Sequence, residues 1–395
     1  MNFRRAGEAA FVYVSFPNKV LIIQFDFLRA IRNCKKVTED GSNSPLGWGS
    51  GAMSKTQIKN MEEFAVVSGI SRPTLSKYFN DPASVRVSTR ARIEAALEQH
   101  DYRPNIFAVN QNRKLTKNIG IVVPYLADPF FAEIARNLEE RCIQAGYRPT
   151  LYSSHGEQKL ELEIMDSLRG LRPAGVLFAP LGRASDRSEI EKFCKAVPTV
   201  LFDSNLDGIG EAFIGSDNFS FVSQTVEYLT RTGEPPSFFE MKTPANPNAN
   251  KRRIAYIQMM ERLGFEPNVI KVEGQGWAFE EIGRQGALKL LGAGNLPTNA
   301  ILCSNDRLAI GLLSACYQLG IRVGRDKSAS LRVASNDDHP FSRFTCPSLT
   351  TAAHDYENVS NKSAETLFQL IEGGGHLPER TETLFPARLV LRDSA

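Results

Sequence analysis

The chain has 395 residues, a formal net charge of +3 at pH 7, 42% hydrophobic residues and 23% charged residues. This composition excludes disorder or a fibrous structure over most of the length, and a chain this long is expected to bury more than one core. The charge is uneven, because residues 53–118 contain 11 Lys and Arg against 6 Asp and Glu while the following part is acidic. A basic head on an acidic body predicts a polyanionic partner for the head.

Residues 1–52 are expected to be a leader or linker outside the folded domains. Their apolar stretch, FVYVSFPNKVLIIQF, is interrupted by Pro17 and Lys19 and is too short to span a bilayer. No small-residue cleavage site follows it, which argues against a signal peptide. The next segment, GSNSPLGWGSGAMSK, has the composition of a linker. We therefore expect that Met53 is the physiological start or that residues 1–52 are dispensable.

Residues 53–103 have helical periodicity and no strand-like pattern. The residues expected near one face of a first helix are Met61, Phe64, Ala65 and Val67. Gly69 can supply the positive φ of a turn, after which Ser71 is placed to cap a second helix with Pro73 in its first turn. The positions expected to be buried on the second and third helices are Leu75, Phe79, Ile93 and Leu97. Three short helices with a tight glycine turn predict a helix-turn-helix.

From residue 119 onward, short runs rich in Val, Ile and Leu alternate with helical patterns. This alternation predicts parallel sheets covered by helices, in two α/β halves with a cleft between them. The fold class is therefore an all-α helix-turn-helix head followed by an α/β body of two doubly wound halves. The expected domains are 1–52 (leader), 53–103 (head), 104–118 (linker) and 119–395 (body), with halves at about 119–233 plus 353–375 and about 234–352 plus 376–395.

The second helix of a helix-turn-helix places its N-terminal side chains against base edges in the major groove. The exposed side chains at that end are Arg72, Pro73, Ser76 and Lys77. Thr74, Ser76 and Asn80 offer hydroxyl and amide groups to phosphates, which orient the helix without reading sequence. The alternative from pattern alone is a small helical subdomain with a solvated basic face.

The segment MEEFAVVSGISRPTLSKYFN resembles the head of the lac repressor family of bacterial regulators. The residues that match the family pattern are Ala65, Gly69, Ile70, Ser71, Thr74, Leu75, Ser76, Lys77 and Asn80. The resemblance implies that Arg72, Pro73 and Lys77 occupy the base-reading positions and that Met61 starts the first helix. Proline cannot donate a hydrogen bond there, so its position is expected to read DNA by shape or by contact with a thymine methyl group.

The following segment, YRPNIFAVNQNRKLTKN, resembles the family's linker, which folds into a hinge helix on DNA. The matching positions are Tyr102, Pro104, Asn105 and Ala108. Gln111 stands where the family inserts a leucine into the minor groove, and glutamine is a poorer wedge. The open alternatives are a weaker kink, a groove contact by Gln111 or replacement by Val109. The cations expected to neutralise phosphates are Arg103, Arg113, Lys114 and Lys117.

Residues 119–395 resemble the family's effector domain, whose fold is similar to that of periplasmic sugar-binding proteins. The cleft is expected to hold a small polar molecule, such as a sugar or polyol, because carboxylates, amides and an arginine grip hydroxyls while aromatic rings cover C–H surfaces. The expected effector-binding residues are Asp128, Phe130, Phe131, Arg252, Trp277, Asn305, Asp306, Asn336 and Asp337. The family usually has an acid where Asn336 stands, which implies weaker hydroxyl binding or another ligand class. As alternatives, Phe130 or Phe131 belongs to the core, and Asp128, Asp217 and Asn218 serve helix N-termini.

An enzyme is the first alternative function, but the five histidines lack metal-ligand spacing, and no nucleophile elbow or phosphate loop is present in the sequence. The second is a solute-binding protein with the same body fold, which would need an export signal and no basic head. We therefore expect a non-enzymatic, DNA-binding regulator, acting as a repressor and a homodimer on a near-palindromic operator. The absence of a CxxC pair argues against zinc and disulfides, so no metal or cofactor and a reducing cytoplasm are expected.

Overall fold

The computed structural model describes residues 58–104, 116–294, 296–326, 328–377 and 379–395, together with the backbone of two earlier strands. These strands, β1 (Ala10–Phe16) and β2 (Lys19–Phe25), pair antiparallel within the segment expected to be a leader. The rest of the described chain forms a helical head and an α/β body.

The head contains three helices, as the sequence predicts. They are α1 (Met61–Ser68), α2 (Arg72–Asn80) and α3 (Val87–His100). Asn60 caps α1 by accepting the N–H of Glu63 at 2.8 Å, and the Glu63 carboxylate accepts the N–H of Lys59 in return. Gly69 ends α1 with φ 60°, which confirms the predicted left-handed turn.

The head is held by a small core around Phe64, which has no exposed surface. Tyr102 stacks on the Phe64 ring with centroids 4.5 Å apart, and Ile93 of α3 is also fully buried. Burying each such side chain contributes about 1.5–3 kcal/mol. The predicted inward position of Val67 is wrong, because 48% of its surface is exposed. The inward stripe of this two-turn helix instead runs through Phe64 and its flanking half-buried positions.

The body contains two six-stranded sheets, each built from parallel strands with one further strand returning from the C-terminal part of the chain. The strands of the first sheet, in spatial order, are β13 (Thr381–Phe385), β7 (Ala212–Ser216), β6 (Thr199–Phe202), β5 (Gly175–Phe178), β3 (Asn118–Val123) and β4 (Arg148–Ser153). Those of the second are β14 (Arg388–Val390), β12 (Thr350–Ala353), β11 (Arg332–Asp337), β10 (Ala300–Cys303), β8 (Ser237–Met241) and β9 (Val269–Val272). Only the β12–β14 pair among them is antiparallel. The predicted fold class is confirmed.

Helices cover both faces of each sheet. With the first sheet, α4 (Pro129–Gln144), α5 (Gln158–Leu171), α6 (Arg187–Ala196) and α11 (Tyr356–Glu372) form the first lobe. With the second sheet, α7 (Asn218–Thr232), α8 (Ala249–Arg262), α9 (Phe279–Gly292) and α10 (Asp306–Gln318) form the second lobe. Successive strand residues face opposite layers, so Ile121 packs into one cluster and Val122 into another.

The division of the body into halves differs from the sequence-based boundaries at two places. Helix α7, which was expected in the first half, packs against α8 and the second sheet. Strand β13 pairs in parallel with β7 of the first sheet, although residues 376–395 were expected in the second half. The chain therefore crosses between the lobes three times, before α7, after β12 and between β13 and β14. These crossings depend on contacts between segments that are distant in the chain, so no local pattern in the sequence indicates them.

The crossovers bring the carboxyl ends of both parallel sheets to the same cleft. Ligands of open α/β sheets bind outside the carboxyl ends of the strands. The polar residues that follow these strand ends are Asp128, Asp203, Asn218, Asn305, Asp337 and His354.

Candidate functional site

The N-terminal turn of α2 carries the predicted DNA-contacting side chains of the head. The Ser71 hydroxyl lies 2.8 Å from that of Thr74 and accepts its N–H at 3.4 Å, which fits the predicted cap. Arg72, Pro73 and Lys77 are exposed, whereas the remaining candidates of the head, Met61, Thr74, Ser76 and Asn80, are half-buried. A cation and a proline therefore stand on the outer surface of this turn.

Arg72 is ion-paired in the head. Its Nε lies 2.8 Å from Oε1 of Glu62 on α1, and both side chains are more than half exposed. An exposed pair of this kind contributes about 0–1 kcal/mol, so the guanidinium can leave Glu62 for a stronger acceptor. Arg103, after α3, is also exposed.

Most of the predicted hinge, residues 105–115, falls outside the residues that the structure describes. These residues include Asn105, Ala108, Gln111, Arg113 and Lys114, and also Val109. The expectations for them rest on the sequence.

Arg252 lies at the centre of the cleft and is almost completely buried. Its Nη2 donates to Oδ1 of Asp337 at 2.6 Å, and its Nη1 donates to the carbonyl oxygen of Ser304 at 2.8 Å. Its Nε donates to Oδ1 of Asn218 at 3.3 Å. Burial raises the pKa of Asp337, but Arg252 and His354 outweigh this effect and hold the pKa below its usual value. Asp337 is therefore ionised and paired with Arg252.

His354, directly after β12 of the second sheet, contacts the same carboxylate and also reaches the first sheet. Its Nε2 lies 3.1 Å from Oδ1 of Asp337 at the end of β11, and its Nδ1 lies 2.7 Å from the hydroxyl of Ser216 at the end of β7. Burial lowers the pKa of His354, although Asp337 opposes the shift. The neutral ring thus forms one hydrogen-bonded path from the first lobe to the second.

Two further polar contacts join the lobes across the cleft. Asp128 caps α4 by accepting the N–H of Phe130 at 3.0 Å, and its second oxygen lies 2.9 Å from Nη1 of Arg307 on α10. Asn248, before α8, donates to Oδ1 of Asp203 at 2.9 Å, while its own buried Oδ1 has no partner among the described residues. Burial raises the pKa of Asp203 to about 7.

The backbone of the cleft is strained at two aspartates that follow parallel strands. Asp203 has φ 59° and Asp337 has φ 120°, in the region that ordinary side chains avoid. Such conformations cost about 1–3 kcal/mol each and persist where the surrounding structure enforces them. Here Asn248 and Arg252 hold the two carboxylates, respectively.

Aromatic rings fill the space beside these polar groups. Trp277 stacks on Tyr125 with centroids 4.9 Å apart and an interplanar angle of 10°. Phe130 is half-buried and contacts the His354 ring at a centroid distance of 4.6 Å. Phe131 is almost fully buried in the core cluster of the first lobe, which agrees with its alternative assignment as a core residue.

Three of the expected effector residues are buried and make hydrogen bonds within the second lobe. Asn305 caps α10 by accepting the N–H of Leu308 at 2.9 Å. Asp306 and Asn336 have no exposed surface. The groups that donate to Asp306 are the N–H of His339 and the hydroxyls of Ser342 and Thr351. Asn336 donates to the carbonyl oxygen of Cys303, and the neighbouring Asp337 pairs with Arg252.

The residues missed in the sequence are His354, Asp203, Asn248, Arg307 and Tyr125. The segment VLFDS ends a predicted strand with an acid, and this signal could have identified Asp203. His354 had no comparable signal, because its partners lie on strands far apart in the chain. Within the described residues, no helix is long and apolar enough to cross a membrane, and no group of His, Cys, Asp or Glu is arranged to hold a metal ion.

Comparisons with known proteins match both parts of the chain. Residues 60–105 match the bacterial regulatory proteins of the lacI family, and residues 228–395 match the periplasmic binding protein-like domain. The chain is 26% identical to the ribose operon repressor of Escherichia coli K12, over 80% of this chain and 93% of that protein. It is also 26% identical to the transcriptional repressor PurR of Pasteurella multocida, over 85% of this chain and 98% of that protein.

Solved structures share the fold. The lac repressor dimer bound to operator and the anti-inducer ONPF is 24% identical, with a TM-score of 0.72 over 85% of this chain and 98% of that chain. A LacI family regulator from Enterococcus faecium with bound ribose has a TM-score of 0.60 over 70% of this chain and 98% of that chain, at 18% identity. Regulators of this family are not enzymes. The chain belongs to the lacI family of bacterial transcription regulators and carries a periplasmic-binding-protein-like effector domain.

Proposed function

We propose that this regulator represses transcription by binding a near-palindromic operator as a homodimer in the cytoplasm, and that a small hydroxyl-rich effector in the cleft controls its binding. The observation that carries this proposal is the buried cluster of Arg252, Asp337 and His354, which joins the facing ends of the two sheets. A guanidinium and a carboxylate so placed suit a polyol, whose hydroxyls donate and accept at adjacent atoms.

The head supplies the DNA-binding surface of the proposal. The exposed Arg72 at the N-terminus of α2 is suited to donate to guanine O6 and N7, a contact that contributes about 1–3 kcal/mol of discrimination. Thr74, Ser76 and Asn80 follow it along the same helix, with groups that suit phosphates. Two such helices, one from each subunit, would occupy half-sites about one helical turn apart.

The contacts that join the lobes suggest how an effector would act on the operator. The pairs Arg307–Asp128 and Asn248–Asp203 both connect one lobe to the other, so a ligand that changes their geometry changes the relation of the lobes. The hinge expected over residues 104–118 leads directly into β3 of the first lobe. Effector and operator affinities must then be coupled reciprocally.

The alternative proposal is a solute-binding protein of the same body fold without a regulatory role. The match of residues 60–105 to a DNA-binding family favours the regulator. The names of the relatives also support it, since they include a ribose operon repressor. A hydroxyl-rich effector is further supported by the structure of the E. faecium regulator with bound ribose.

Selection of binding sites from random DNA by the purified full chain tests the proposal. The selected duplex is then titrated with the protein in the presence of a panel of sugars and polyols. We expect a short palindrome whose affinity changes with one class of compound. Sequence-blind binding that salt abolishes would contradict the repressor, and a palindrome insensitive to the whole panel would contradict a hydroxyl-rich effector.

A further inference from the structure

A cavity of about 370 Å³ opens between the two lobes beside Trp277. The first lobe contributes Gly156, after β4, and Arg183, after β5. The second lobe contributes Lys242, after β8, and Arg253 of α8. The Arg252 cluster lies at the ends of strands β7, β11 and β12, farther along the same sheets. The cavity is therefore a separate section of the effector cleft.

The polar side chains that line this cavity offer mainly hydrogen-bond donors. Among the described residues that line it, three are cations and none is an Asp or Glu. The oxygens of its two amides each accept a hydrogen bond from within the protein, Asn246 from the N–H of Asn248 at 2.8 Å and Asn250 from the guanidinium of Arg253. The amide NH₂ groups remain as donors. Such a lining requires a ligand group rich in acceptors.

The three cations differ in how their charges are balanced. Arg253 lies 3.0 Å from Oε1 of the fully buried Glu240, which fixes the position of its guanidinium from below. Lys242 pairs with Glu273 at 2.8 Å in an exposed contact that contributes little. Arg183 makes no hydrogen bond or ion pair with the part of the chain that the structure describes. One cation is thus positioned, one is easily redirected and one is uncompensated.

We propose that this cavity binds an oxyanion, a phosphoryl or carboxylate group attached to the polyol effector. The inference rests on the proposed function, because the anionic group would belong to the same effector whose hydroxyls bind elsewhere in the cleft. A carboxylate that can accept from hydroxyls lies at one section of the cleft, in Asp337. Donors for an anion lie at the other, in Arg183, Lys242 and Arg253. Guanidinium groups bind both kinds of oxyanion through paired N–H bonds.

Calorimetric titration of the full chain at constant ionic strength tests the proposal. The probes are ribose with ribose 5-phosphate, glucose with glucose 6-phosphate, glucose with glucuronate, and inorganic phosphate alone. We expect at least one anionic member to bind about tenfold more tightly than its neutral parent, and the two anionic classes distinguish phosphoryl from carboxylate. Failure of every anionic probe, including millimolar phosphate, to bind more tightly than its neutral parent would overturn the anion subsite.

Arg183→Gln is the decisive variant, because this exposed side chain has no hydrogen-bond or ion-pair partner to lose among the described residues. This change should bring the affinity for the anionic ligand to within about twofold of the affinity for its neutral parent. The affinity for the neutral parent should not change. Arg231→Gln is the matched control, since it removes one exposed charge from α7, away from the cavity. An equal loss in both variants would indicate a long-range charge effect and overturn the proposal. If neutral sugars bind and change operator affinity while no anionic probe binds more tightly than its neutral parent, the anion subsite is overturned. The proposed function then remains intact.

Discussion

The guanidinium of Arg307 lies 2.9 Å from Oδ2 of Asp128, so an ion pair joins the second lobe to the first across the cleft. Both side chains are mostly buried, and Arg307 is also held by Glu280 and by the carbonyl oxygen of Trp277. Burial raises the pKa of Asp128, and Arg307 opposes this shift. The contact between the lobes therefore includes a charge pair that water does not strongly screen.

Breaking this pair should loosen the contact between the lobes. Asp128→Asn keeps a capping oxygen for α4 but removes the charge, and Arg307→Gln removes the other partner. We expect each change to lower the free energy of unfolding of the body by about 1–3 kcal/mol, with a double variant less destabilised than the sum. Urea unfolding followed by circular dichroism measures all four proteins. Strict additivity would mean that the two groups do not interact.

Removing Glu62 should strengthen DNA binding by the head. Glu62→Gln releases Arg72 from its ion pair and removes an acceptor that competes with DNA. Because exposed pairs contribute about 0–1 kcal/mol, the affinity for operator DNA should rise by up to about fivefold at low salt. Fluorescence anisotropy measures the change. Glu98→Gln, an equal change of charge on α3, is the control, and an equal rise there would exclude a specific role for the pair.

Arg72 and Lys114 should affect DNA binding in different ways. Arg72→Ala should relax sequence preference, because a base contact is lost, at a cost of about 1–3 kcal/mol on the selected site. Lys114→Ala should weaken selected and scrambled sites equally and reduce the salt slope by about one unit. Titrations on both duplexes at several salt concentrations separate these effects. Identical behaviour of the two variants would contradict the division into base and phosphate contacts.

Asp203 should make the body less stable as the pH rises. Burial raises its pKa from 3.8 to about 7, so the folded protein binds about one more proton than the unfolded chain between these values. Stability from this group is complete below pH 3.8 and is lost as the pH rises toward about 7. Asp203→Asn should make the decline of the free energy of unfolding with pH shallower, by the slope that one proton contributes. Part of the decline should remain, because burial also raises the pKa of Asp306. Urea midpoints between these pH values measure the slope, and an unchanged slope would mean that Asp203 titrates normally.

The sequence predicted those parts of the molecule that depend on local pattern. The three head helices and the turn at Gly69 follow from apolar spacing and backbone preference. Arg252, which lies in the cleft, was expected from the resemblance to the family's effector domain. The roles of Asn336 and Asp337 could not be separated in this way, because the two residues are neighbours on β11. Only the structure shows that Asp337 pairs with Arg252 while Asn336 donates to the carbonyl oxygen of Cys303. His354 was missed because its hydrogen-bond partner Ser216 is 138 residues away.

The most direct test of the account is the coupling between operator and effector. Operator DNA, once selected, is titrated with the full chain with and without the most effective compound of the panel, and Arg252→Ala is measured in parallel. We expect the compound to change operator affinity about fivefold or more in the intact protein and operator DNA to change compound affinity by the same factor. Arg252→Ala should bind operator but not respond. Equal affinity for the compound with and without operator DNA would show that the effector cleft and the DNA-binding head are not coupled.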